Sequence, residues 1–143
     1  MKYLGLDYGE KRIGVAISDD ILMFAHEYGI MDSLTDDNII VYLRELIEKE
    51  SITDIVVGMP YALSGDDTAK TQETREFAAM LEDSLPVRIH LQDERWTTKE
   101  ADATLLAMGI SQKEARSVKD MIAAKYILQT YMDKVKEDEE EDF

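Results

Sequence analysis

The opening stretch Met1 to Asp20, MKYLGLDYGEKRIGVAISDD, constrains the fold more than any other part of the chain. Tyr3 to Tyr8 form a short apolar run with one carboxylate, Asp7, near its end, and Ile13 to Ile17 form a second run of β-branched and small residues. Gly9 to Arg12 punctuate the gap, which predicts two strands joined by a tight glycine-containing turn. Asp7 is the anomaly. Asp is disfavoured inside strands and is rarely buried without a partner. A carboxylate there either satisfies amides of the adjacent turn or holds a metal ion.

Downstream, Phe24 to Ile30 read as a weaker third strand, interrupted by His26, Glu27 and Gly29. Thr35-Asp36-Asp37-Asn38 is a helix-start cluster, followed by Ile39, Ile40, Leu43, Leu46 and Ile47 at helical spacing. Ile55-Val56-Val57-Gly58-Met59-Pro60 is almost continuously apolar, the pattern of a strand covered on both faces. Tyr61 to Thr68 reads as a loop, and a helix is expected from about Thr71 to Leu81. Pro86 to Leu91 is a fifth strand, leading into Gln92-Asp93-Glu94-Arg95-Trp96-Thr97-Thr98. Thr98 can cap a helix running to Met108, which Gly109 stops. Met121, Ile122, Ala124, Ile127, Leu128 and Tyr131 form the apolar face of a last helix ending near Lys134. Antiparallel strands followed by strands alternating with helices predict an α/β fold: a mixed sheet with helices on both faces.

With 143 residues and 45% hydrophobic content, one domain with a real core is the expectation, spanning residues 1–134. Residues 135–143 read as an acidic, disordered tail, and the run Glu137 to Asp142 carries six of the excess negative charges behind the formal net charge of −15. That balance opposes nucleic-acid binding in general, but one face can still be basic. Cysteine is absent, which excludes disulfides and thiolate metal sites and suits a cytoplasmic location. No signal-peptide pattern opens the chain, and no apolar run approaches the ~18 residues that span a bilayer. No membrane association is expected.

Carboxylates fall at the ends of elements in three places: Asp7 on the first strand, Asp93 and Glu94 after the fifth, and Asp120 where the last helix turns apolar. Ligands bind at the carboxyl ends of strands in such sheets. Converging carboxylates repel unless they share a proton or a cation, and hard divalent ions such as Mg²⁺ suit oxygen donors. Each acid also has a structural reading. Asp93 and Glu94 can form a solvated turn paired with Arg95, and Asp120 can stabilise a helix start. Trp96 reads as a packing residue that could also stack a base. His26 and His90 lack metal-ligand spacing and read as structural.

The segments GLDYGEKRIGVAISD, VVGMP with its following loop, DERWTT and KDMIAA occur in the same order as in the YqgF (RuvX-like) family, which this chain resembles from about Lys2 to Met132. That family is grouped both as Holliday-junction resolvases and as ribosomal RNA maturation nucleases. The resemblance implies a ribonuclease H-like, mixed five-stranded sheet with helices on both faces. It also implies that Asp7, Glu94 and Asp120 are catalytic acids holding Mg²⁺ or Mn²⁺, with Asp93 either supporting those acids from behind or orienting Arg95. Gly9 then allows a sharp turn beside the site, and Lys11, Arg12, Arg95 and Lys119 are candidates for phosphate contact. Related resolvases place their second acid on the fourth strand. Here that strand reads Ile55-Val56-Val57-Gly58-Met59 and carries none, so the arrangement the resemblance implies would have to move the second acid to Glu94, which weakens the analogy with junction cleavage.

The implied function is a metal-dependent nuclease acting on structured nucleic acid, either precursor ribosomal RNA, with or without ribosomal particles, or branched DNA. A four-way junction favours a homodimer, whereas RNA maturation needs only a monomer. Two other readings compete. The opening strand–turn–strand also resembles the ATP-binding core of the actin and Hsp70 superfamily, for which ATP-dependent phosphate release discriminates. A non-catalytic nucleic-acid or ribosome-assembly factor fits the acidic balance, but leaves the cost of gathering acids uncompensated.

Overall fold

The computed structural model describes residues 1–32, 34–95, 103, 106–109 and 112–141. Strands β1 (Lys2–Tyr8), β2 (Ile13–Ser18) and β3 (Ala25–Met31) precede helix α1 (Asp36–Glu50). Strand β4 (Ile52–Met59), helix α2 (Ala69–Ser84), strand β5 (Arg88–Asp93) and helix α3 (Gln112–Glu141) follow. They build one five-stranded sheet in the order β3-β2-β1-β4-β5. The β1–β2 and β2–β3 pairs are antiparallel, whereas β4 runs parallel to both β1 and β5. The expected mixed sheet with helices on both faces is what the chain forms.

Local chemistry accounts for the elements. The Gly9 amide donates to the Arg12 carbonyl at 3.0 Å and closes the β1–β2 turn. A side chain at Gly9 would stand 2.8 Å from that carbonyl, so the turn admits only glycine without adjustment. Thr35 caps α1, its side chain accepting from the Asn38 amide at 3.2 Å. Thr68 caps α2 two to three residues earlier than expected, because Thr68 and Thr71 satisfy each other's amides reciprocally.

The two faces of the sheet are unlike. Leu4, Leu6, Ile13, Val15, Ile55 and Val57 point to one face, where Leu43 and Leu46 of α1 and Phe77 and Leu81 of α2 cover them. Burying each such side chain contributes roughly 1.5–3 kcal/mol. Ala16, Ala25 and Val56 point to the other face, beneath Ala124, Ile127, Leu128 and Met132 of α3.

Helix α3 departs from expectation at both ends. It begins at Gln112, so Asp120 lies in its third turn and caps nothing. It also continues past Lys134, through the acidic run to Glu141. No breaker interrupts either extension, Lys and Glu favour helix, and Lys134 and Asp138 have pairing spacing. The helix expected from Thr98 to Met108 lies largely outside the described residues, as does Trp96. Among the described residues, no helix is long and apolar enough to cross a membrane.

Candidate active site

Asp7 points to the α3 face near the carboxyl end of β1, at the centre of the sheet. Its neighbour across the β1–β2 ladder is Gly14, and on the β4 side the parallel register brings Gly58 alongside. These glycines create the space the site needs. A Cβ on Gly14 would overlap the Asp120 backbone carbonyl, so the missing side chain lets α3 lie directly on β2 at the level of Asp120. A Cβ on Gly58 would collide with Ile127 and stand 2.7 Å from Glu94 Oε2.

Glu94 reaches that position because its amide donates to the Met59 carbonyl at 3.1 Å, extending the β4–β5 ladder beyond Asp93. Its carboxylate therefore occupies the room above β4 that a side chain at position 58 would fill. The sequence finds no acid on the fourth strand. Strand β4 does carry one, Asp54, but it lies opposite Tyr3 at the far end from Asp7, and the acid that reaches the site comes from beyond the end of β5. An isolated glycine inside an apolar strand is the sequence signal of such close approach, and Gly14 and Gly58 both carry it.

Asp7 and Glu94 face each other closely enough to hold a proton between their carboxyls. Burial, and then the negative charge of Asp120, push Asp7 up to about 6. Burial, and then the charge of Asp7, push Glu94 up to about 8. The pair is thus a carboxylate site short of positive charge. Asp120 stands near enough to act on Asp7, but its own Oδ2 is ion-paired with Arg12 Nε at 3.0 Å. Among the described residues no three Asp, Glu, His or Cys side chains already form a metal cage. The structure brings Asp7 and Glu94 together and gives Asp120 to Arg12.

The expected phosphate-binding cations divide. Lys11 is exposed and lines a groove with Gly9, Glu10, Arg12, Lys70 and Asp120. Lys119 acts on Asp7 with a weak attractive charge and has a further contact of its own. Arg95 is already engaged: its Nε donates to Asp93 Oδ2 at 2.7 Å and its Nη1 to the Leu63 carbonyl at 3.2 Å. Asp93 does orient Arg95, and together they tie the 61–68 loop to the end of β5. Burial would raise the Asp93 carboxyl, but the Arg95 hydrogen bonds hold it below its ordinary value.

His90 is structural, as expected, yet its partner escapes the sequence. Asp54 is buried on β4, with His90 Nε2 at 2.6 Å, Thr53 Oγ1 at 2.7 Å and Arg88 Nη2 at 3.2 Å. Burial alone would raise this carboxyl, and the three hydrogen bonds outweigh it and lower it. The His90 ring stacks on Tyr131 of α3, with centroids 4.9 Å apart.

A mixed sheet of this order, with acids converging on its central strand from a neighbouring strand end and a crossing helix, defines a ribonuclease H-like protein of the resolvase type. Solved structures share it. The chain superposes on Thermus thermophilus RuvC in complex with a Holliday junction substrate with TM-score 0.58 and 14% identity, covering 92% of this chain and 94% of that one. It superposes on the Fowlpox virus resolvase in its junction DNA complex with TM-score 0.59 and 10% identity, covering 94% and 99%. Within that class the chain belongs to the RuvX family, whose model, described as Holliday junction resolvase, matches residues 1–134. Relatives include a protein of Maridesulfovibrio salexigens, 42% identical over 92% of this chain and 98% of its own length. Another, from Methylobacillus flagellatus, is 43% identical over 91% of this chain and 89% of its own. Both are named "Putative pre-16S rRNA nuclease".

Proposed function

We propose that this chain is a divalent-cation-dependent nuclease of the cytoplasm that hydrolyses phosphodiester bonds in precursor 16S ribosomal RNA, free or within a ribosomal particle, as a monomer. The catalytic unit in this reading is residues 1–134, with the acidic run outside it. The observation that carries it is the Asp7–Glu94 pair. Two acids held half-buried at the strand ends, at a cost in electrostatic energy, make sense as a binding site for positive charge.

The donor set fits Mg²⁺ or Mn²⁺, since it is all carboxylate and lacks positive charge. Asp7 and Glu94 would hold the ion, and Asp120 would join once Arg12 turns to a substrate phosphate. When bound, such an ion activates water for in-line attack and neutralises charge building on the phosphate. The residues of the chain do the rest. Asp7 and Glu94 would release a shared proton to solvent as the cation takes its place, Arg12 and Lys11 engage the backbone of the nucleic acid, and the Asp93–Arg95 clamp holds Glu94 in register.

A second reading, cleavage of four-way DNA junctions, is favoured by the likeness in shape to the two junction resolvases. The deciding experiment presents end-labelled precursor 16S RNA and a synthetic four-way junction to wild type and Asp7→Asn, each with Mg²⁺, Mn²⁺ or chelator. Metal-dependent cutting of the RNA that is lost in Asp7→Asn supports the proposal, and cutting of the junction alone supports the second reading. No cutting of either, with no rise in melting temperature on adding metal, overturns both and leaves a binding factor.

A further inference from the structure

Lys70 was not among the residues singled out by the sequence, and the acids and the turn cations leave it without a task. It is the second residue of α2, exposed, in a segment that reads as the end of a loop. Its position is nevertheless fixed from beneath. Thr71, completely buried, donates its hydroxyl to the Pro60 carbonyl at 2.9 Å, and the Thr68–Thr71 capping box closes the same turn. The first turn of α2 is thereby fastened to the end of β4, just beyond Gly58 and Met59.

From there Lys70 lines a groove of about 340 Å³ together with Gly9, Glu10, Lys11, Arg12 and Asp120. Of the three acids Asp120 lines this groove, and Lys70 is the strongest attractive charge acting on both Asp7 and Glu94. Arg12 is engaged by Asp120 and Arg95 by Asp93, whereas Lys70 makes no direct ion pair among the described residues. An ammonium on a flexible four-carbon stem is suited to follow a phosphate as its charge redistributes. Phosphoryl transfer spreads negative charge over the non-bridging oxygens, and a pre-placed cation there lowers the barrier.

We propose that Lys70 contacts the scissile phosphate, binding a non-bridging oxygen from the α2 side of the groove while Lys11 engages the adjoining backbone. Lys70 stays protonated throughout and transfers nothing. Its function is to fix the phosphate against the acids and to offset charge in the transition state. This assignment rests on the nuclease reading, and it adds to that reading a substrate contact from an element outside the family-like motifs.

The test compares wild type, Lys70→Gln, Lys70→Arg and a distal control, Lys49→Gln, on labelled precursor 16S RNA and a four-way junction. Single-turnover cleavage is measured at saturating Mg²⁺, and binding is followed by fluorescence anisotropy in chelator across a salt series. Lys70→Gln is expected to slow cleavage by roughly 10²-fold. It should also reduce the slope of log affinity against log salt by about one. Lys70→Arg should restore the slope and part of the rate, and Lys49→Gln should change neither. If Lys70→Gln cuts at the wild-type rate with an unchanged slope, and only its metal-free melting temperature falls, Lys70 is a counter-charge for the acids and the proposal is wrong. Should wild type cut nothing, the nuclease reading fails by itself. The salt slope in chelator then still decides whether Lys70 meets a phosphate.

Discussion

One sheet carries two differently built faces. Towards α1 and α2 its strands present Leu, Ile and Val, and the helices answer with Leu43, Leu46, Phe77 and Leu81. Towards α3 they present Gly5, Gly14, Gly58 and Ala16, so close to the helix that a Cβ on Gly5 would stand 2.7 Å from the Ala124 carbonyl. The first face maximises buried apolar area and supplies stability. The second gives up area so that a helix backbone can approach, and the space beside it receives Asp7, Glu94 and Asp120. Stability and chemistry are thus divided between the two sides of the same strands.

That division should show when each face is disturbed. The largest effect is expected from Asp7→Asn, with metal-dependent cleavage falling by at least roughly 10³-fold. Because the substitution relieves a half-buried acid pair, the same variant should melt higher than wild type in chelator at pH 8, by roughly 3–6 °C. A variant that loses activity and gains stability is the signature of the α3 face. Loss of both would mean that Asp7 is a structural cap.

Next in size, Gly14→Val drives a side chain into the Asp120 backbone and should cost about 3 kcal/mol or more in chemical denaturation. Leu43→Ala on the other face should cost a similar 2–5 kcal/mol by leaving a cavity. The two are separated by activity per folded molecule at low temperature, retained in Leu43→Ala and lost in Gly14→Val.

A smaller effect follows from titration. Asp7 and Glu94 have folded values of about 6 and about 8, above their unfolded values of 3.8 and 4.5, so the folded state holds more protons between these limits. Their contribution to stability is complete below about pH 4 and is lost as pH rises through the folded values. Metal-free melting temperature should therefore fall between pH 5 and pH 8 and then level off. Glu94→Gln should flatten the curve, as should saturating Mg²⁺.

The smallest effect is assigned to Arg95→Ala. Its guanidinium is engaged by Asp93 and the Leu63 carbonyl. The expected outcome is a slight drop in melting temperature with no change in the salt dependence of RNA binding. A slope reduced by one would return Arg95 to the phosphate contacts for which the family resemblance makes it a candidate.

Much of this architecture was written locally. The apolar runs of β1, β2 and β4, the Thr35 cap and the stripes of α1 and α3 are one-dimensional records of burial, and they survive in the structure, although α3 runs well past its stripe at both ends. Asp7 was conspicuous for the same reason, as a charge where a strand should be apolar. Asp54 was not, because it sits before the run that marks the strand, and only folding shows that β4 begins at Ile52.

What the sequence by itself determined is the order of the elements, the class of sheet and the identity of the acids available to it. The tertiary structure decided how those charges are partnered. It set Glu94 over Gly58, gave Asp120 to Arg12 across 108 positions of sequence, and placed Lys70 in one groove with Asp120. The physical reason is range. Periodicity and capping act over a few neighbouring residues and leave a pattern along the chain. The pairing of charges depends on distances between elements, which exist only once the sheet has brought its strand ends together.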